Sequence, residues 1–563
     1  MTARERKRFL TSLGLALAIG ILMSVAFIYR WPAGLQDQQF LFNDATIFKR
    51  RAGDQAGKVA LVHIDEKSVS SFRQQYGRPF SWPRTIHAQV LKNLADAGAR
   101  VVAFDVLFDA PGCPASATPP CQEDAAFAEA IDYARARAGG GTQVILAVAG
   151  EQPQPVGPDE PLTFTESIPP VQTLASRATS LGHVHPYPDS DGTVRRMPLI
   201  ASIKGEEVPA LALQGAASYL RRPKAVDAKE AGHIVSGGRP IPVDANFRTI
   251  INYQGPPSHL PDAAKPGPVP TVSYVDAYNN SFDKNLVKDK LIFVGLTAIG
   301  FADDWQAPTS SGTKMSGVEV HAQTAEMILR GGFLTEQSAL TTILVILSLT
   351  VVPGLILARF QPFLAGGVTA SIFALYVVGM VAYSGLSEGQ MEQGTTFTML
   401  NSVYPGVAML FTFVGVMLYR IVFEQAEQRA TKSVMGKYLS PAVMTEVLKD
   451  PEGLKLGGEK RDMSVLFSDI RGFTSVSEKM DPSELVRFLN EYLTEMTDIV
   501  FQHQGVLDKY MGDAIMAFWG APTIQTNHAE QACRTGFHMM RRLRELQPGW
   551  SERGLPPLNI GVG

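Results

Sequence analysis

Two runs carry acidic residues in settings that could bind metal ions: VLFSDIRGFT at residues 465–474 and LDKYMGDAIMAFWG at residues 507–520. Asp469 closes the apolar stretch Val465, Leu466, Phe467, which reads as a strand. Asp513 follows Gly512 at the turn between two candidate strands, residues 505–511 and 514–519. Two carboxylates brought together at strand ends can hold a pair of Mg²⁺ ions against a triphosphate. Asp469 and Ile470 lead directly into Arg471, Gly472, Phe473 and Thr474, and backbone N–H groups in such a turn can cradle phosphate oxygens. Each run alone has a plainer reading, a helix cap or turn for the first and a hairpin turn for the second. Their occurrence together, separated by one helix, is the specific signal.

The elements that must position this pair are legible in the pattern. From residue 463 the chain reads strand, turn, helix, hairpin, helix, strand. The segment MSVLFSDI is the first strand, and residues 482–502 form an amphipathic helix with Leu485, Phe488, Leu489, Tyr492 and Met496 at helical spacing. Residues 505–519 form the hairpin, residues 530–546 a second helix, and Leu558 opens a further strand. This is the split βαβ order of an α+β, ferredoxin-like fold. The chain stops inside the apolar alternation LNIGVG, which predicts a catalytic domain that is incomplete at residue 563.

These two runs resemble the signature of class III nucleotidyl cyclases, the adenylate and guanylate cyclase family, and the likeness extends over residues 457–563. The resemblance implies that Asp469 and Asp513 are the catalytic carboxylates and hold two Mg²⁺ ions per site, with Mn²⁺ as a substitute. The backbone carbonyl of Ile470 would touch a metal as well, and the turn through Gly472, Phe473 and Thr474 would hold the triphosphate. Lys509 stands where adenylate-specific members carry the lysine that recognises adenine, and guanylate-specific members usually place glutamate there. A lysine donates to adenine N1, which accepts, whereas guanine N1 is protonated, so the position favours ATP over GTP. The implied reaction is attack of the ribose 3′-oxygen on the α-phosphorus, giving 3′,5′-cyclic AMP and pyrophosphate. In the family the site forms between two catalytic domains, so one domain per chain implies a homodimer. The family's transition-state asparagine and arginine, and a second adenine contact, lie downstream of the strand at Leu558. Residues 1–563 are therefore expected to be inactive or nearly so, and activity is expected of the complete protein.

The remainder reads as apparatus for placing and controlling that site. The 563 residues carry a net charge of −3, which offers no global basic field for nucleic acid. Residues 9–29 are uncharged and follow Arg4, Arg6, Lys7 and Arg8, which predicts an anchor with a cytoplasmic N-terminus. A cleaved signal peptide is the alternative, but the apolar run is long for one and no small-x-small site follows. Three more apolar runs lie at residues 339–357, 363–383 and 397–418. Arg359, then Arg420, Arg429, Lys432 and Lys437, mark the cytoplasmic sides, while the loop with Glu388 and Glu392 has no cation. The expected organisation is a cytoplasmic N-terminus (1–8), a first span (9–31), an extracytoplasmic α/β sensor (32–337), spans at 338–358, 363–383 and 397–419, a cytoplasmic helical linker (420–456) and the catalytic domain (457–563). The expected location is the plasma (inner) membrane, multi-pass.

Within the sensor, residues 58–65, 100–108, 142–150 and 290–298 are continuous apolar strands, with helices at 85–97 and 318–329, which suggests a largely parallel sheet. The proline-rich stretch 153–170 reads as a surface loop. Cys113 and Cys121 share one loop, where oxidising conditions permit a bridge and two free thiols are the alternative, and Cys533 reads as a core residue of a helix. The segments ID at 64–65, SWPR at 81–84 with His87, VVAFDVLF at 101–108, PDSDGTVRR at 188–196 and GVEVHA at 317–322 resemble the type-2 CHASE sensor family. That family commonly precedes three spans and a cytoplasmic output, and it implies an extracytoplasmic ligand or partner without naming one. Asp65, Arg84, His87 and Asp105 could line a crevice at strand ends or, as favoured, form a network that holds the fold. PDSDG lacks the spacing of an EF-hand and reads as a polar turn. Beside a membrane receptor adenylate cyclase stand two other readings: a guanylate cyclase, and a non-catalytic receptor with a degenerate cyclase domain.

Overall fold

The computed structural model describes residues 3–48, 57–77, 80–113, 121–137, 140–157, 159–258, 267–301, 303–310, 312–387, 394–435 and 460–563. It divides into two compact units, Met1–Met417 and Leu418–Gly563.

The sensor in the first unit is built on a sheet whose strands are buried on both faces. Val59, Ala60, Leu61, Val62 and Ile64 are all shielded from solvent, the burial expected of a parallel strand covered by helices on each side. Thr271–Ser273, Val59–Ile64, Leu291–Leu296, Val101–Asp105 and Gln143–Pro153 lie side by side, each parallel to its neighbour. Alternate residues serve two cores. Leu61, Val101, Ala103 and Phe293 pack with residues of helices Leu211–Tyr219 and Gly317–Arg330. Ala60, Val62, Val102, Phe104 and Val294 pack with residues of helices Arg84–Asp96 and Gln122–Ala136.

Two expectations for this unit change. The stretch 153–170 is not all loop: Leu162–Ile168 is a strand antiparallel to the end of Gln143–Pro153. Its prolines flank the strand, while Leu162 and Phe164 alternate into a small core of their own. Cys113 and Cys121 are joined by a disulfide, which resolves the open pairing.

Among the described residues, four helices are long and apolar enough to cross a membrane: Arg6–Ile28, Ala339–Arg359, Phe363–Gly385 and Val403–Phe423. The last begins later than residue 397. Phe397–Met399 is instead a strand parallel to Leu334–Glu336. Its neighbouring backbone is claimed by side chains, with Asn401 N–H donating to Gln337 Oε1 at 3.1 Å and Ser402 N–H to Gln39 Oε1 at 2.8 Å. The helix that starts at Val403 runs unbroken to Met435, into the predicted linker, and residues 436–459 lie outside the described residues.

The catalytic segment forms an antiparallel sheet in the order Val506–Met511, Ala514–Trp519, Ser464–Ile470, Ile560–Val562. Helices Pro482–Gln502 and His528–Glu552 supply the rest of its core, with Phe488, Tyr492, Met496, Met539, Leu543 and Trp550 buried. Asp481 accepts from the amides of Ser483 and Glu484, and Pro482 occupies the first turn, a pairing that fixes where the first helix starts. Gly505 lets the hairpin enter: a Cβ there would lie 2.6 Å from the Trp519 ring. The second helix outruns its predicted end at 546 because buried Trp550 donates to Glu491 at 3.0 Å, holding the turn beyond Pro548. Cys533 is exposed, not in the core. The buried stripe of its helix runs through Thr535, Met539, Leu543 and Trp550, and Cys533 falls off it.

Candidate functional site

The strand Ser464–Ile470 alternates cleanly, with Leu466, Ser468 and Ile470 facing the core and Val465, Phe467 and Asp469 facing out. That alternation puts Asp469 on the open face at the strand end. Asp513 arrives there by a two-residue hairpin loop, in which Met511 pairs with Ala514 and Gly512 adopts φ 69°. The left-handed conformation suits glycine and makes the tight connection affordable. The Ile470 amide donates to Asp513 Oδ2 at 3.1 Å, so the hairpin turn is tied to the end of the first strand.

The two carboxylates thus share one place. Asp513 is pushed above the ordinary carboxylate range, first by burial and then by the charge of Asp469, with the Ile470 amide working in the opposite direction. Neither acid has a Lys or Arg partner among the described residues. Two hard oxygen donors facing each other, with an adjacent backbone carbonyl, suit a divalent cation that takes carboxylate and carbonyl oxygens. Among the described residues no cluster of three or more His, Cys, Asp or Glu groups forms, so the acids stand as a pair.

Beyond Ile470 the chain turns at Gly472, φ 71°, which caps the short helix Phe473–Ser477. The Arg471 amide is spent on Asn559 O at 2.8 Å, whereas the amides of Phe473 and Thr474, in the first turn, have no intrahelical acceptor. Lys509 is on the strand that leads to the Asp513 turn, mostly exposed, 3.3 Å from Asp508 Oδ2. It lines a separate cavity of about 630 Å³ with Thr494, Thr497, Asp498 and Tyr510. The structure therefore brings together Asp469, Ile470 and Asp513, while Lys509 stands on the edge strand opposite Met516, which in turn pairs with Phe467 on the face that carries Asp469. Sequence reasoning missed the amide of Ile470 as the hairpin's anchor, since no residue type signals a backbone donor.

In the sensor, Asp65, Arg84, His87 and Asp105 do not act as one group. Asp65 accepts from Ser68 N–H at 2.9 Å, capping the helix Glu66–Tyr76, and from Ser273 Oγ at 3.0 Å. Arg84 lies 3.5 Å from Asp124 and stacks 4.5 Å over Phe108. His87 is buried among Phe104, Phe108 and Phe127, 2.6 Å from the Tyr274 hydroxyl, and burial, aided by Arg84, lowers it to about 3. Those three hold the fold. Asp105 differs: it ends its strand beside Gly295, and burial together with Asp303 raises it to about 7. A strand-end cavity of about 690 Å³ is lined by His63, Asp65, Thr271, Thr297, Asp304 and Lys314. PDSDG is a polar turn as read, but its acids serve arginines: Asp191 and Asp189 both meet Arg195.

Residues 15–355 match the CHASE2 domain, and residues 458–562 match the adenylate and guanylate cyclase catalytic domain. Among curated relatives, an adenylate cyclase of Anabaena cylindrica is 40% identical over 114 residues, 20% of this chain and 22% of its own. Adenylate cyclase 1 of Rhizobium meliloti (strain 1021) is 33% identical over 120 residues, 21% of this chain and 18% of its own. The matched stretch thus spans only 22% and 18% of the length of these relatives. Among solved structures, the guanylyl cyclase Cya2 is 42% identical with a TM-score of 0.18, covering 19% of this chain and 54% of its own. The adenylyl cyclase CyaB from P. aeruginosa is 37% identical with a TM-score of 0.18, covering 19% and 55%.

Proposed function

Because the chain belongs to the CHASE2 domain family and carries an adenylate and guanylate cyclase catalytic domain, we propose that it is a membrane-bound receptor adenylate cyclase. It converts ATP to 3′,5′-cyclic AMP and pyrophosphate under the control of its extracytoplasmic sensor, and works as a homodimer in the plasma membrane. The observation that carries the reading is the acidic pair: Asp469 and Asp513 share one place, the second pinned by the Ile470 amide, with no Lys or Arg partner among the described residues.

In this reading the carboxylates of Asp469 and Asp513 and the carbonyl of Ile470 hold two Mg²⁺ ions. Bound Mg²⁺ supplies Lewis acidity that lowers the pKa of the ribose 3′-hydroxyl and offsets phosphate charge. The chain's own contribution is placement. The Ile470–Asp513 bond keeps the two acids in register, so no reorganisation is needed when charge develops. The amides of Gly472, Phe473 and Thr474 receive the triphosphate. Lys509 is mostly exposed and, among the described residues, pairs with Asp508 rather than with Asp469 or Asp513, which suits a lysine that reads adenine in the partner's site. The curated relatives named adenylate cyclase support ATP as the substrate.

The test is turnover of Mg-ATP and Mg-GTP, side by side, by the complete protein in membranes, with Asp469→Ala and Asp513→Ala as controls. Cyclic AMP as the main product, lost in both variants, is expected. Cyclic GMP as the main product would make it a guanylate cyclase. No product from either nucleotide would favour a non-catalytic receptor.

A further inference from the structure

One loop of the sensor grips the outer ends of the apolar helices. Arg195 and Arg196 are neighbours at the start of a strand, so their side chains leave in opposite directions. Arg195, 5% exposed, donates from Nε and Nη2 to Asp44 at 3.1 and 2.6 Å, and from Nη1 and Nη2 to Asp191 at 2.9 and 2.8 Å. Its guanidinium also stacks 4.4 Å over Phe40. Arg196, 6% exposed, pairs with Glu336 and donates to Asp189 at 2.5 Å. Asp189 also reaches Arg195 at 3.4 Å, and so joins the two halves.

Two of the acids these arginines hold lie on segments that lead to different apolar helices. Asp44 directly follows Ala33–Asn43, the helix that leads out of the first span. Glu336 ends the strand that leads into the helix Ala339–Arg359. The fourth span is tied to both sides. Gln39, 3% exposed, accepts from the amides of Ser402 and Val403 at 2.8 and 2.9 Å, capping that helix from the first-span side. Phe397–Met399 pairs with Leu334–Glu336 on the second-span side. The third span joins through Tyr383, whose hydroxyl donates to Thr398 O at 3.0 Å.

We propose that the loop carrying Asp189, Asp191, Arg195 and Arg196 is the coupling element of this receptor, setting the spacing between the first-span exit and the second-span entry. The fourth span must follow, because Gln39 and the strand pair tie it to both. Any sensor movement that shifts the loop either carries the helix ends along or leaves a buried charge unpaired. The helix Val403–Met435 then carries the shift inward as one unbroken rod. The output half of this inference rests on the cyclase reading; the mechanical half does not.

Two measurements on the complete protein in lipid nanodiscs test it. Glu336 is partly exposed, so Glu336→Gln cuts Arg196 from the second span without opening the core. In amide hydrogen exchange, Glu336→Gln is expected to speed exchange about threefold or more at 334–339, and also at 44–48 and 402–404. A change confined to 334–339 would mean a local ion pair and overturn the proposal. In nucleotide turnover, Glu336→Gln and Asp44→Asn should each shift the basal rate about threefold or more with the Mg²⁺ dependence unchanged, and Glu336→Asp should restore it. Unaltered turnover alongside spreading exchange would overturn the coupling to output. A wild-type protein that makes no cyclic nucleotide would instead sink the enzyme reading, leaving exchange to decide the mechanical claim.

Discussion

The sensor and the catalytic unit handle carboxylates in opposite ways. Around Arg195 and Arg196, four acids converge and each meets a guanidinium. Against the upward push of burial, the Arg195 side chain and the Thr193 amide hold Asp191 below the ordinary carboxylate range, although burial leaves the deeper Asp44 raised. In the catalytic unit two acids meet each other, and Asp513 is raised by burial and by Asp469. A fully paired network is chemically satisfied and has only geometry to offer. A pair of like charges with no cationic partner among the described residues is a place a dication would stabilise. The same reasoning separates Asp105 from the other sensor acids, because burial and the charge of Asp303 raise it and no salt bridge joins it to a cation among the described residues.

The comparison breaks most visibly at the acidic pair. Asp469→Ala or Asp513→Ala is expected to lower turnover by about 100-fold or more and to abolish the Mg²⁺-induced rise in melting temperature. If either variant keeps both, the pair is not a metal site. The linkage sign sharpens this. Asp513 has a raised folded-state pKa, so its contribution to metal-free stability is present at low pH and lost as pH rises through that pKa. The stabilisation given by Mg²⁺, which needs the ionised form, should therefore grow over the same window, read by melting with and without Mg²⁺ across pH.

The next largest effect belongs to the sensor. Arg195→Leu leaves Asp44 and Asp191 buried without their partner and should destabilise the sensor by about 3–5 kcal/mol, measured by chemical or thermal unfolding. A near-neutral result would show that the clasp is dispensable for folding. Lys509→Glu comes third: it should shift the ATP-to-GTP preference by about tenfold or more while leaving the fold unchanged, measured as the ratio of kcat/KM values. Asp105→Asn is the smallest. With a folded pKa of about 7, raised from 3.8, Asp105 contributes stability below pH 3.8 that is lost as pH rises to about 7. The asparagine variant should melt higher than the parent at pH 8 and at the same temperature near pH 4. Equal melting at both would show that the carboxyl is not held neutral.

Much of the fold was readable because its signals are local. The four apolar helices, the alternation of strands and helices in the sensor, and the succession of strands and helices in the catalytic segment all follow from periodicity and run length. The errors share one cause. Residues 397–399 look like the start of a span, yet they pair with a strand some sixty residues upstream. Residues 162–168 look like loop among prolines, yet they add to a sheet edge. Cys533 looks like core by type, yet its angle around the helix points it outward. In each case a distant partner or a rotational phase, invisible in a short window, decided the outcome.

By itself the sequence determined which residues could do chemistry and which segments would have to carry them. Uncharged runs of that length have few homes but a bilayer, and an acid at the end of an apolar strand must surface there. Tertiary structure alone decided who meets whom. Asp513 reaches the Ile470 amide across 43 residues, and Arg195 reaches Asp44 across 151. Charge and hydrogen-bonding capacity are written in residue type, but the partner that satisfies them depends on the path of the folded chain, which periodicity does not encode.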